Sequence, residues 1–331
     1  MIRTRITGTG SAVPDRVVTN DELSRLMDTS DEWIRTRTGI QERRWVREGE
    51  TGVALAARAA GEALTMAGLT ASDLDAIVYA TCTPDHFIPG NGVYLQQALG
   101  VPGIPALDIR MACSGFLYAL SVADAWIRAG NFQRILVVGQ EIQSTGLDIS
   151  TEGRNTAVIF ADGAGAVVLT RSESEECGLL AFDLHSDGAH ASLLWVDAPG
   201  SMYHPRVSKE QIDGGRHFVT MDGKEVFRHA VTRMPESVRT ALGKVGLGQK
   251  DIGLLLPHQA NLRISEMVQR NLELRDDQVY NNIQRLGNTT AATIPIMLDE
   301  CNRGGRLNPG DLLVFTAFGA GFTWGSCVVR W

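Results

Sequence analysis

Three residues with useful chemistry sit where one kind of segment gives way to another. Cys113 falls between an apolar run, 105–109, and a stretch rich in helix formers, 114–126. A helix start leaves backbone N–H groups unpaired and presents the positive end of the dipole, which favours a thiolate nucleophile. A buried structural cysteine is the plainer alternative, and position alone favours it. His258 follows the apolar run 254–256 and Pro257, ahead of the amide-rich Gln259-Ala260-Asn261. Alone, such a histidine is a surface or hydrogen-bonded residue. Asn288 lies in the small polar stretch 287–293 that opens an apolar segment reaching Glu300, by itself an ordinary helix cap.

An internal repeat ties the three together. Residues 63–74 and 241–252 share Ala, Leu, Gly, Leu and Asp at five of twelve positions, at an offset of 178. Ile135-Leu136-Val137-Val138 matches Leu312-Leu313-Val314-Phe315 at an offset of 177. Resemblance by composition alone would not hold the offset to within one residue over two separated segments, so duplication is the better reading. Cys113 plus 178 is 291, inside the Asn288 stretch. Pseudo-twofold packing of the halves would then bring a thiol, an imidazole and a carboxamide to one site.

The elements that must position these groups alternate short apolar runs with longer helical patterns, which predicts a layered α/β fold. Strands are expected at 75–81, 104–109, 135–139, 157–160, 166–170, 254–256, 312–316 and 326–330. Phe227, Val231, Met234, Val238, Ala241 and Val245 form one apolar helical stripe, and Pro235 predicts a kink or break within it. The halves are expected at 1–171 and 221–331, with 172–220 between them. The acidic run at 172–176 reads as a solvated loop. Asp162-Gly163-Ala164-Gly165 reads as a turn, and Gly8-Thr9-Gly10 lacks the third glycine of a dinucleotide-binding loop. Gly319 to Gly325 reads as a tight turn, either a plain hairpin or an oxyanion site.

Composition bounds the rest. The 331 residues are 44% hydrophobic and 21% charged, enough to bury a large core and unlike a disordered chain. A net charge of −7 argues against a broad nucleic-acid surface. Five dispersed cysteines support neither a metal knuckle nor a disulfide framework. The first residues lack a signal-peptide apolar run and no stretch has membrane-spanning length, which predicts a cytoplasmic protein.

Taken in order, several segments resemble β-ketoacyl-[acyl-carrier-protein] synthase III, the initiating condensing enzyme of dissociated fatty acid synthesis. They are Thr29-Ser30-Asp31-Glu32-Trp33-Ile34, Arg37-Thr38-Gly39-Ile40, Ala112-Cys113-Ser114-Gly115-Phe116 and residues 160–166. Pro257-His258-Gln259-Ala260-Asn261, Gly287-Asn288-Thr289 and Gly321-Phe322-Thr323-Trp324-Gly325 complete the match. The resemblance implies a thiolase-like fold, two duplicated α/β halves in an α-β-α-β-α arrangement. It implies an acyltransferase in which Cys113 takes the acyl group of an acyl-CoA. His258 and Asn288 would stabilise the enolate formed from malonyl-acyl carrier protein. Backbone N–H groups of Cys113, Ala320 and Gly321 would bind the oxyanion. The family has glycine where Ala320 stands, so a less comfortable φ is expected there. Trp33 and Arg154 would sandwich the adenine of coenzyme A, with Arg37 close by. Arg228 and Arg263 would dock the acidic carrier protein, and Ile88 would gate the acyl pocket of a partner subunit. The resemblance implies a homodimer and no cofactor, since acyl-CoA is a substrate. Ile88, where acetyl-preferring relatives have phenylalanine, and the stretch 194–217 leave the primer open. The residues also leave open a specialised condensing enzyme, a cysteine hydrolase with the same Cys, His, Asn order, and a non-catalytic acyl-CoA binder.

Overall fold

The computed structural model describes residues 2–172, 174 and 177–331. Two sheets carry the architecture. The first is built from β1 (Arg3–Ala12), β2 (Ala76–Ala80), β3 (Ala106–Ile109), β4 (Arg134–Ile142) and β5 (Asp162–Ser172), in the order β1-β5-β4-β2-β3. The second contains β6 (Gly178–Ser186), β7 (Leu254–Pro257), β8 (Leu312–Gly319) and β9 (Thr323–Arg330), in the order β6-β9-β8-β7. Both orders run antiparallel, antiparallel, then parallel. A parallel bridge from Leu255 to Val279 stands beside β7 as β3 stands beside β2. The offset of 178 carries the first residue of β2 to that of β7, and of β4 to that of β8. Duplication therefore extends to strand register.

The inner strands β2, β4, β7 and β8 are almost wholly buried because helices cover both faces, so their sequences read as continuous apolar runs. We designate six helices: α1 (Asp31–Thr38), α2 (Gly52–Ala67), α3 (Gly115–Arg128), α4 (Gly223–Gly243), α5 (Leu262–Asn271) and α6 (Thr293–Arg303). Phe116, Leu120 and Ile127 of α3 share one core with Ile294 and Met297 of α6 and with Val137 and Phe315 of the two sheets. These helices form the middle layer. Leu55, Ala59 and Ala63 of α2 cover the far face of the first sheet. Val226, Met234 and Val238 of α4 cover the far face of the second. The result is the expected α-β-α-β-α stack.

Several local expectations need correction. Residues 157–160 are not a strand: Ala157 ends a short helix, Arg154–Ala157, and Phe160 makes only a bridge to Asn288. A short apolar run buried on every side has no period that separates the two states. Asp162 to Gly165 is not a turn but the start of β5, where Gly165 lies against the backbone of α6; a Cβ there would stand 2.8 Å from Ile296 N. The Gly8-Thr9-Gly10 motif is likewise a packing device. A Cβ at Gly8 or Gly10 would meet the carbonyl oxygens of Ala63 and Ala59 at 2.0 and 2.2 Å, so only glycine lets α2 lie on β1. Helix α4 runs unbroken through Pro235. The Val231 carbonyl, which Pro235 has no N–H to serve, accepts from Asn271 Nδ2 at 3.0 Å. Finally, Gly178–Ser186 lies within the segment expected between the halves, yet it is the edge strand of the second sheet. Downstream of it, Leu194–Val196 pairs with Val219–Met221 in a two-stranded ribbon. Residues 173, 175 and 176 of the acidic run lie outside the described residues.

Candidate active site

Cys113 sits in a 3-10 turn, Ala112–Ser114, that links β3 to α3. Thr290–Ala292 is the matching turn ahead of α6. Each contains a non-glycine residue at positive φ, Ala112 at 44° and Thr290 at 52°, and the two are 178 residues apart. Such backbone costs about 1–3 kcal/mol and persists only where packing enforces it. Here the two turns pack on one another where the halves meet. Cys113, His258 and Asn288 line one cavity of about 520 Å³. A second cavity, of about 470 Å³, reaches Cys113 from another side and is lined by Met111, Leu194, Trp195 and Ala320 among others. The cysteine thus opens onto two chambers.

Its thiol is not the thiolate that the helix start suggests. Burial first, then the carboxylate of Glu141, pushes it up to about 12, while N–H groups of Cys113 and Ala320 oppose that shift. Glu141 is a lone acid in the buried part of β4, held by the Thr83 hydroxyl at 2.6 Å and the Cys82 N–H at 3.1 Å. Burial raises its own carboxyl to about 7.

His258 follows β7, and its N–H donates to Thr316 O at 2.8 Å. Its ring is buried, with Nδ1 2.8 Å from Thr293 Oγ1 and no protein partner on Nε2. Burial pulls the imidazole down to about 3, so it is neutral at physiological pH. Asn288 is pinned by its backbone, which donates to Ile159 O and accepts from Ala161 N–H, both at 2.9 Å. Its Oδ1 accepts from Thr290 N–H at 2.8 Å, which fixes the amide and leaves Nδ2 as the group available to donate. Thr290 is held in turn by Gln143 Nε2, 2.9 Å from its hydroxyl.

Ala320 and Gly321 form the turn between β8 and β9. Ala320 has an ordinary φ, and the positive value, 135°, falls on Gly321. The strain expected at Ala320 is absent because the turn places it one residue later. Trp33 lies on α1, which Ser30 caps, and it lines the cavity with Arg37 and Arg263. Arg37 and Arg154 stand 4.7 and 5.2 Å from its ring centroid. A planar group between Trp33 and Arg154 needs two van der Waals spacings of about 3.5 Å each, so Arg154 must withdraw to admit one. Arg228 is exposed, paired with Glu225 at 2.6 Å, and does not line the cavity. Ile88 is 76% exposed and lines neither chamber of the single chain. Sequence reasoning missed Thr293, Glu141 and Lys224, the last a cation on the cavity wall. Of these only Glu141 carried a signal, as the one acid in β4, two residues past the apolar run 135–139.

Two duplicated sheets enclosing a helical layer define the thiolase-like class. Family models described as "3-Oxoacyl-[acyl-carrier-protein (ACP)] synthase III" and its C-terminal part match residues 107–188 and 242–331. The β-ketoacyl-[acyl-carrier-protein] synthase III of Rhizorhabdus wittichii is 46% identical over 331 residues, the full length of both chains. The crystal structure of 3-oxoacyl-[acyl-carrier-protein] synthase III from Aquifex aeolicus has a TM-score of 0.91 at 42% identity, covering 99% of this chain and 100% of that one. The priming β-ketosynthase of the R1128 polyketide pathway has a TM-score of 0.92 at 32% identity, covering 99% and 96%. The chain belongs to the β-ketoacyl-[acyl-carrier-protein] synthase III family of acyl-transferring condensing enzymes.

Proposed function

We propose that the protein condenses a short acyl-CoA with malonyl-[acyl-carrier protein], giving β-ketoacyl-[acyl-carrier protein], coenzyme A and CO2, and so initiates fatty acid synthesis. The observation that carries this is the meeting of Cys113, His258 and Asn288 in one cavity between equivalent ends of two halves. In the first step the Cys113 sulfur attacks the acyl-CoA thioester. The acyl group moves to Cys113, and the thiol proton leaves on the coenzyme A sulfur. N–H groups near the sulfur, from Cys113 and the Ala320–Gly321 turn, face the tetrahedral oxyanion. In the second step the malonyl thioester loses CO2. Charge grows on its thioester oxygen, where His258 Nε2 and Asn288 Nδ2 donate. The carbanion attacks the acyl-Cys113 carbonyl, sulfur leaves, and one proton taken from solvent restores the thiol. Neutral donors suit this chemistry, since a buried imidazolium would be costly.

The larger chamber admits the pantetheine arm past Trp33, Arg37 and Arg154, with Arg263 and Arg228 facing the acidic carrier. The smaller chamber takes the acyl chain. Ile88, exposed on one chain, would be covered by the second copy of a homodimer and would shape that chamber from there. The reading requires no cofactor, because thiol, imidazole and amide supply the chemistry. It places the enzyme in the cytoplasm, with two successive activities on one site. No helix among the described residues is long and apolar enough to cross a membrane.

The priming ketosynthase neighbour supports a second reading, initiation of a specialised pathway with a longer primer. A series of acyl-CoAs of rising length separates the two by the chain best accepted. The central test is Asn288→Ala. Acylation of Cys113 is expected to persist while malonyl decarboxylation falls about 10²- to 10³-fold, the usual cost of one oxyanion donor. Undiminished decarboxylation would remove Asn288 from the reaction.

A further inference from the structure

His258 turns one ring nitrogen toward the cavity, and the presence of a proton on it decides what the site can do. Nε2 is buried without a protein partner, whereas Nδ1 lies 2.8 Å from Thr293 Oγ1. The Thr293 hydroxyl has one proton and two acceptors within reach, His258 Nδ1 and the Thr290 carbonyl at 3.1 Å. That carbonyl already accepts the backbone N–H of Thr293. The carbonyl keeps a second lone pair, so the two acceptors compete for the hydroxyl proton, and the contact to Nδ1, the shorter at 2.8 against 3.1 Å, favours the ring. Donation in that direction makes Nδ1 the acceptor and leaves the proton of the neutral imidazole on Nε2.

The reverse arrangement would leave a bare lone pair facing the cavity beside the Asn288 amide. Growing negative charge on a substrate oxygen would be repelled there. An imidazolium is no remedy. Burial holds the ring to about 3, and Thr293 opens α6, whose positive dipole end opposes a nearby cation.

We propose that Thr293 is a positioning residue whose hydroxyl donates to His258 Nδ1 and fixes the Nε2–H tautomer, giving the enolate oxygen two neutral donors. The role in catalysis rests on the condensing reading, but the tautomer does not. The test begins with the substrate-free wild-type protein, labelled with 15N-histidine, by long-range proton–nitrogen correlation NMR. His258→Gln identifies the signals that belong to His258. Nδ1 is expected in the pyridine-like range and Nε2 in the pyrrole-like range; the opposite pattern overturns the proposal. Thr293→Ser should keep both the pattern and the malonyl decarboxylation rate within about threefold. Thr293→Val should lose the single tautomer and slow decarboxylation about tenfold, the scale of one neutral hydrogen bond. An unchanged tautomer in a folded Thr293→Val protein would also overturn it. Should the valine variant fail to fold, the wild-type and serine spectra still decide. If the spectra behave as expected but wild type does not decarboxylate malonyl thioesters, Thr293 keeps its role and the condensing reading falls.

Discussion

Gly319 offers a perturbation whose size can be worked from distances. It ends β8 at an ordinary φ, so its need for glycine comes from space rather than backbone conformation. A Cβ built there would stand 2.5 Å from Cys113 Cβ, 2.9 Å from Cys113 Sγ and 3.0 Å from Cys113 N. Ordinary carbon contacts lie at about 3.5–4.0 Å. Two of the three atoms are close to the main chain, so a rotamer change cannot relieve the overlap. Gly319→Ala must displace Cys113 by roughly 1 Å, and such a misplacement costs about 10²-fold in rate. Overpacking should also cost about 1–3 kcal/mol of stability. The assay is intact-protein mass spectrometry over time with a short acyl-CoA, paired with a thermal melt to confirm folding. Gly61→Ala is the control, because nothing lies within 4 Å of its Cβ position. Acylation of folded Gly319→Ala within threefold of wild type would refute the claim that this turn sets the position of the sulfur.

The same geometry sets four other outcomes. With the Cys113 thiol pushed up to about 12, its alkylation by iodoacetamide should quicken about tenfold per pH unit from about pH 6 to about pH 9. A plateau near neutrality would show that the helix start wins over burial. His258, ordinarily near 6.5, is held down to about 3 in the fold. Its contribution to stability is therefore full above 6.5 and lost as pH falls toward 3; acid denaturation of His258→Gln should be shallower across that window, and an unchanged slope would contradict the burial account. Gly61, exposed in the interior of α2, should accept alanine with a gain of about 0.5–1 kcal/mol, read as a raised Tm. Arg154→Ala should tighten or leave unchanged the KM for acyl-CoA if Trp33 needs an open face, whereas a large rise would show that the guanidinium itself clamps the base.

Much of this was legible in the chain because duplication writes itself twice. The 178-residue offset carried Cys113 to residue 291, in the stretch that holds Asn288, and the structure extends it to the strained pair Ala112 and Thr290. The inner strands were readable as apolar runs because both faces are covered. Tertiary effects were not readable. The thiol of Cys113 is governed by burial and by Glu141, 28 residues away in sequence, and both outweigh the local helix start. The edge strand β6 pairs with β9, more than 130 residues downstream, so nothing near it in sequence assigns it to the second sheet. Pro235 signalled a break that Asn271 repairs from another helix. Gly8 and Gly10, too incomplete a motif for a dinucleotide loop, carried no sign of their actual role as the contact surface for α2.

The most direct measurement of the central claim is the intact mass of the protein after exposure to acyl-CoA, then to malonyl-[acyl-carrier protein]. Wild type should gain one acyl group and lose it when the malonyl carrier is added, with β-ketoacyl carrier appearing in equal amount. Cys113→Ala should gain nothing. An adduct of the same mass on Cys113→Ala, or an acyl group that malonyl carrier leaves in place, would contradict the account.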